Sequence, residues 1–139
     1  MRLNFGSVCV IFSLLALAAC APAQEPASTV ETAPSGPMVT GDAIATANGD
    51  LVIQPINHAT FAMGWNGETI YVDPVGGAER FEGLPSPDLI LITDVHGDHL
   101  DAPTLEAVAN SDTIVVAPAA VVEGLPEGLS AQVQTLANG

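Results

Sequence analysis

The chain has 139 residues, with sixteen Asp and Glu against two Lys and Arg and a formal net charge of −14. This length is enough for one domain with a hydrophobic core and too short for two. The negative charge excludes nucleic acid and anionic lipid surfaces as expected partners, because both would repel the chain. Most of the acidic residues are explained by solubility or adaptation to salt, and only those between residues 94 and 101 are candidates for chemistry.

The N-terminus predicts an export signal. Residues 8–19 are apolar except for Ser13, follow a single charge at Arg2 and end in small residues. Such a run is too short for a stable membrane anchor and is typical of a secretory signal. With Cys20 it resembles the lipobox of bacterial lipoproteins, in which cleavage precedes a cysteine that carries the lipid. We therefore predict a lipoprotein signal peptide at 1–19 and lipidation of Cys20; the alternative is an ordinary signal with a chance cysteine.

This resemblance implies a location. The protein would lie on the periplasmic side of a bacterial cell envelope, and the lipid would be its only contact with the membrane. In Gram-negative lipoproteins, a residue other than Asp after the lipidated cysteine favours sorting to the outer membrane. Ala21 occupies that position, so the outer membrane is the favoured site. Residues 20–49 are rich in small and polar residues, which predicts a disordered tether. The folded part is expected to span 50–139.

The first elements predicted in the folded part are strands at 51–56, 60–65 and 68–72. Asn66-Gly67 joins the last two, because this dipeptide favours a two-residue hairpin turn. Further strands are predicted at 88–93, 113–117 and 132–136. A helix capped by Asp101 lies between the first two of these, and a helical turn is predicted at 119–122. This order predicts an α/β layer fold. The sequence ends in Asn138-Gly139, another turn dipeptide with no strand after it, so we expect a truncated domain.

Residues 94–101 carry the candidate chemistry. Asp94, His96, Asp98 and His99 follow directly on a buried aliphatic strand. Imidazole and carboxylate ligands without a thiol suit zinc, iron or manganese. Zinc is the metal expected of an exported enzyme, and Mn or Fe is the alternative. A solvated acidic loop whose histidines form caps is the structural alternative.

The same segment resembles the His-x-His-x-Asp-His signature of the metallo-β-lactamase superfamily. It is similar to the lactonase-like branch, in which Leu-Asp follows the signature and segments like 53–60 and 67–74 precede it. The resemblance implies a metallo-β-lactamase-like αββα sandwich, of which 50–139 would be only the N-terminal αβ half. It covers the whole predicted folded part.

The resemblance also implies roles for individual residues. His96 would bind a first metal ion, and Asp98 and His99 a second if two are bound. Asp98 would be the catalytic residue that orients a metal-bound hydroxide. Asp73 would lie behind the loop and hold a ligand in place. His58 would either support the same edge or be a buried histidine that holds the strand turn.

Two departures from the signature limit these implications. Asp94 replaces its first histidine; this carboxylate either ligates the metal, shifting preference toward manganese or iron, or caps a turn. The family takes a further histidine, aspartate and histidine from its C-terminal half, and no histidine follows His99 in this sequence. We therefore expect a fragment that is inactive alone.

The sequence predicts a metal-dependent hydrolase that holds one or two divalent ions. Its substrate would be a small molecule with an ester, lactone, amide or phosphodiester bond. One alternative is a degenerate, non-catalytic envelope lipoprotein. Another is a metal-binding module without hydrolysis. The sequence does not indicate an oligomeric state.

Overall fold

A computed structural model describes residues 36–137. The predicted signal peptide at 1–19, Cys20 and most of the predicted tether lie outside the described residues. Within this range, every helix is too short or too polar to cross a membrane.

The first four strands form an antiparallel meander. They are β1 (Asp42–Thr46), β2 (Gly49–Asn57), β3 (Thr60–Trp65) and β4 (Glu68–Val72). Asn66 and Gly67 connect β3 to β4 with φ angles of 52° and 86°. This left-handed backbone is what a two-residue hairpin requires, so the predicted turn is confirmed.

The predicted start of the fold near residue 50 is wrong, because β1 pairs with β2 from Asp42 onward. All five positions of β1 are exposed. The strand therefore buries no apolar side chain, and its composition is indistinguishable from that of a tether. Its order comes from backbone hydrogen bonds to β2.

Three parallel strands extend the sheet beyond β4. They are β5 (Leu89–Leu91), β6 (Ile114–Pro118) and β7 (Val133–Leu136), and the sheet order is β1-β2-β3-β4-β5-β6-β7. The connections carry α1 (Ala102–Val108), α2 (Ala119–Val122) and 3₁₀ turns at Ala78–Phe81 and Glu127–Gln132. Asp101 caps α1, as predicted, with its carboxylate accepting from the Thr104 N–H. The predicted α/β class is confirmed.

The core lies on one face of the sheet. Ala62, Tyr71, Ile90 and Val115 stand opposite one another on neighbouring strands and are almost completely buried. Each helix or 3₁₀ turn contributes one side chain or more to the same cluster: Phe81, Leu105, Val121 and Leu129. The Tyr71 hydroxyl donates to the Pro85 carbonyl at 2.7 Å. Burial raises the pKa of Tyr71 to about 12.

The opposite face of the sheet is also apolar. One row across it consists of Ile53, Met63, Ile70, Leu89 and Ile114. These side chains are half-buried, except for Ile114, which is exposed. The core residues of the described helices all belong to the first face. The sheet is therefore covered on one side in this part of the chain.

Candidate metal centre

Two loops meet at the carboxyl ends of the parallel strands. The Asp73 loop (residues 73–77) follows β4, and the histidine loop (residues 93–101) follows β5 and leads into α1. Because β4 and β5 are neighbours, their ends are adjacent. The Asp73 N–H donates to the Leu91 carbonyl at 2.8 Å, which fixes the start of one loop against the strand that precedes the other. Ligand sites in open α/β sheets favour this edge.

Asp73 organises this edge. Its side chain is buried, and its backbone is left-handed, with φ of 45°. Oδ1 accepts from the Thr93 N–H at 2.7 Å, and Oδ2 accepts from the Thr93 hydroxyl at 2.6 Å. The Thr60 hydroxyl donates to the Asp73 carbonyl at 2.6 Å. These bonds stabilise a backbone conformation that is unfavourable for a residue with a side chain.

His99 is held by the same carboxylate. Its Nδ1 lies 2.8 Å from Asp73 Oδ2 and 3.1 Å from the Thr93 hydroxyl oxygen. An ionised carboxylate only accepts, so the ring proton belongs on Nδ1 and the Nε2 lone pair is free for a metal. The hydrogen bond that His99 donates to Asp73 raises the pKa of His99; desolvation opposes this shift, and the charges of Asp73, Asp98 and Asp94 add to it. His99 Nε2 lies 3.7 Å from Asp98 Oδ2.

His96 is paired with the nearest acid in sequence. Its Nδ1 lies 2.5 Å from Asp94 Oδ1, and its backbone N–H donates to the same oxygen at 3.1 Å. These two hydrogen bonds lower the pKa of Asp94. Both side chains are exposed. Asp94 thus closes a local turn in this structure, while its predicted role as a ligand stays a prediction.

The predicted ligands share one loop but do not converge. Among residues 36–137, no three His, Cys, Asp or Glu side chains meet as a metal ion requires. The donor chemistry nevertheless fits a divalent ion, because two imidazoles and carboxylates lie within one loop and His99 presents Nε2. The histidine loop therefore carries donor groups of the kind that bind a divalent ion, although three of them do not meet within residues 36–137.

The comparisons with known proteins agree with the fold. A family model described as "Beta-lactamase superfamily domain" matches residues 52–138. The chain belongs to this superfamily. The predicted superfamily and fold class are thereby confirmed. The sheet with helices on one face corresponds to part of a metallo-β-lactamase-like domain.

One solved relative of this superfamily member comes from Parabacteroides distasonis ATCC 8503. It is provisionally named a metal-dependent hydrolase, shares 33% sequence identity and superposes with a TM-score of 0.60. The match covers 73% of this chain and 44% of the relative, so the chain spans less than half the relative's length. In total, 11 chains of solved structures match this chain. No curated protein matches the chain.

His58 is placed differently from one of its two predictions. It lies with Ala59 in the turn between β2 and β3, where its φ is 48° and its side chain is exposed. The prediction of a buried histidine is therefore wrong, since the turn directs it to solvent. The turn lies at the same edge as the histidine loop, because Thr60 begins β3 and donates to Asp73. A role for His58 in the site stays a prediction.

The sequence analysis missed Thr93 and Thr60. Both hydroxyls bind Asp73, one through its carboxylate and one through its carbonyl. Thr93 had a weak signal, because it is the first polar residue after the aliphatic strand. Thr60 had none, since its partner lies 13 residues away and a strand threonine usually needs no explanation.

Proposed function

We propose that this superfamily member is a metal-dependent hydrolase, with His96 and His99 among its metal ligands. The hydrogen bond between buried Asp73 and His99 Nδ1 carries the proposal. A metal-binding histidine commonly donates its other ring nitrogen to a carboxylate, which fixes the ring and raises its basicity. The name of the relative from Parabacteroides distasonis supports the same activity.

The metal would be zinc in the first instance, with Mn or Fe possible and with one or two ions bound. It would polarise the scissile bond and lower the pKa of an attacking water. His99 would ligate through Nε2, while Asp73 prevents its ring from turning. Asp98, exposed beside Nε2, would ligate and orient the attacking water through its carboxylate. Asp94 and His96 would complete this side of the site after separating from each other.

The substrate would be a small molecule with an ester, lactone, amide or phosphodiester bond. Leu100-Asp101 after the signature favours the lactonase-like branch. We propose a lipid-anchored protein of the bacterial envelope, attached through Cys20 and facing the periplasm. The net charge of −14 supports a function without nucleic acid.

The proposal is tested with the purified full-length protein. Metal content after dialysis is measured by elemental analysis. Turnover is measured separately on lactone, ester, amide and phosphodiester substrates. Stoichiometric metal and turnover on one class are expected. His96→Ala should abolish both, because it removes an imidazole ligand. Asp112→Asn is the control, since Asp112 is exposed in the turn before β6, away from the histidine loop. Full activity in His96→Ala would contradict the assignment.

A non-catalytic envelope lipoprotein is the second candidate. Two observations favour it: Asp94 is engaged by His96, and within 36–137 no three potential ligands converge. It predicts a folded protein that retains no metal after dialysis and hydrolyses none of the four substrate classes. Stoichiometric metal held through dialysis would exclude it.

A further inference from the structure

A second connection joins the two loops of the site, on the far side of Asp73. The Gly76 N–H donates to Asp101 Oδ2 at 3.1 Å, and the Gly77 N–H donates to Thr104 Oγ1 at 2.9 Å. The Thr104 hydroxyl donates in turn to Asp101 Oδ2 at 2.8 Å. Two successive backbone amides of the Asp73 loop therefore donate hydrogen bonds to side chains at the N-terminus of α1. We call Asp101 and Thr104 the brace.

The brace holds a segment that has little conformational freedom. Gly76 and Gly77 have φ angles of 87° and 95°. A Cβ on Gly76 would lie 2.6 Å from Arg80 Nε, which donates to the Gly76 carbonyl at 2.9 Å. The backbone between Asp73 and the brace is thus short and fixed at its far end. Pro74 and Val75 are buried, so a short, packed segment links Asp73 to the brace.

The two loops are therefore joined at successive points. Asp73 binds Thr93 and His99, and Gly76 binds Asp101 two residues further along the histidine loop. We propose that Asp101 and Thr104 are positioning residues of the metal site, which hold the Asp73 loop so that its carboxylate faces His99 Nδ1. This inference rests on the proposed function for its metal. The orientation of the His99 ring is a property of the chain alone.

The fold offers a matched control for Thr104. Thr104 and Thr113 are each 1% exposed. The Thr113 hydroxyl also makes two bonds: it donates to the Pro87 carbonyl at 2.8 Å and accepts from the Asn110 N–H at 2.9 Å. Thr113 precedes β6, at the opposite end of the parallel strands from the histidine loop. Thr→Val at either position removes two comparable hydrogen bonds. Of the two threonines, only Thr104 belongs to the brace.

The test compares the full-length protein with Thr104→Val, Thr104→Ser and Thr113→Val. Co²⁺ affinity is measured by visible absorption, the His99 tautomer by ¹⁵N NMR of the metal-free protein, and Tm by circular dichroism. Thr104→Val should weaken Co²⁺ binding about tenfold, as loss of support for a metal ligand typically does. It should also reduce the Nδ1-protonated tautomer of His99. Thr113→Val should lower Tm by a similar amount and change Co²⁺ affinity by less than about twofold.

Rescue separates positioning from general destabilisation. Thr104→Ser keeps the hydroxyl, so Co²⁺ affinity and tautomer should return to the unmodified values. Equal Co²⁺ affinities and tautomers in Thr104→Val and Thr113→Val would overturn the inference. If the unmodified protein binds no Co²⁺, the proposed function fails and the tautomer decides about the brace. A loss of the Nδ1-protonated form in Thr104→Val alone supports it, and the same tautomer in all variants overturns it.

Discussion

Each of the two histidines in the histidine loop is paired with an aspartate, and the two pairs are built in opposite ways. The His96 and Asp94 side chains are 76% and 47% exposed, and the residues are two apart in sequence. The His99 and Asp73 side chains are 26% and 2% exposed, and the residues are 26 apart. The first pair can form in a short peptide. The second exists only after β4 and β5 have paired.

This difference separates a histidine whose ring the fold orients from one that is bound only by its neighbour in sequence. His99 is oriented by the chain alone, because turning its ring would leave a buried carboxylate with fewer partners. His96 can separate from Asp94 at little cost, since water replaces the lost bond at an exposed site; under the proposed function this would release it to bind a metal. A site assembled from both kinds of ligand would therefore be half rigid and half adaptable.

Asp73→Asn is expected to have the largest effect, and comparing it with a variant of the exposed pair tests whether the two pairs differ. The amide cannot accept from Thr93 and His99 as the carboxylate does, and the site is buried. We expect the free energy of unfolding to fall by about 3 kcal/mol. Asp94→Asn is the matched variant at the exposed pair, with a much smaller expected loss because water replaces the lost hydrogen bond there. Urea denaturation of the metal-free proteins measures both. Similar losses would show that the two pairs do not differ in kind.

A smaller effect is expected from Thr93→Val, which removes one hydroxyl bond to Asp73 and keeps the backbone N–H bond. The free energy of unfolding should fall by about 1 kcal/mol, because Asp73 Oδ2 loses the Thr93 hydroxyl as a donor and keeps His99 Nδ1. Thr93→Ser should recover most of this loss. A Thr93→Val protein as destabilised as Asp73→Asn would place the threonine, and not the aspartate, at the centre of the network.

The sequence predicted some of these features well and others not at all. Asn66-Gly67 and the aliphatic run at β5 were recognised because their cause is local. The Asp101 cap was recognised because a cap and its helix are adjacent. Bonds such as Thr104 to Gly77 could not be predicted, since 27 residues separate them and only the assembled sheet edge brings them together. Asp73 was placed correctly beside the loop only by resemblance.

The smallest effect sharpens the comparison through pH, in the metal-free protein. The pKa of His99 is raised above 6.5, so its pair with Asp73 contributes its full stability below that pH. The contribution is lost as pH rises through the raised pKa. The pKa of Asp94 is lowered below 3.8, so its contribution is present above that pH and is lost as pH falls through the lowered value. Tm across a pH series should have a smaller alkaline slope in His99→Gln and a smaller acidic slope in Asp94→Asn, where the lowered pKa of Asp101 still contributes. An unchanged alkaline slope in His99→Gln would assign it to another group.

The strand order of the sheet has a consequence for synthesis on the ribosome. Each strand from β2 to β7 pairs with the strand that was translated before it. A nascent chain can therefore add strands one by one to an existing edge, without waiting for a distant partner. Asp73 leaves the ribosome before His99, so β4 can already be paired with β3 when the histidine loop emerges. The pair of Asp73 and His99 can thus form as soon as β5 joins β4, while the pair of Asp94 and His96 forms without any strand pairing.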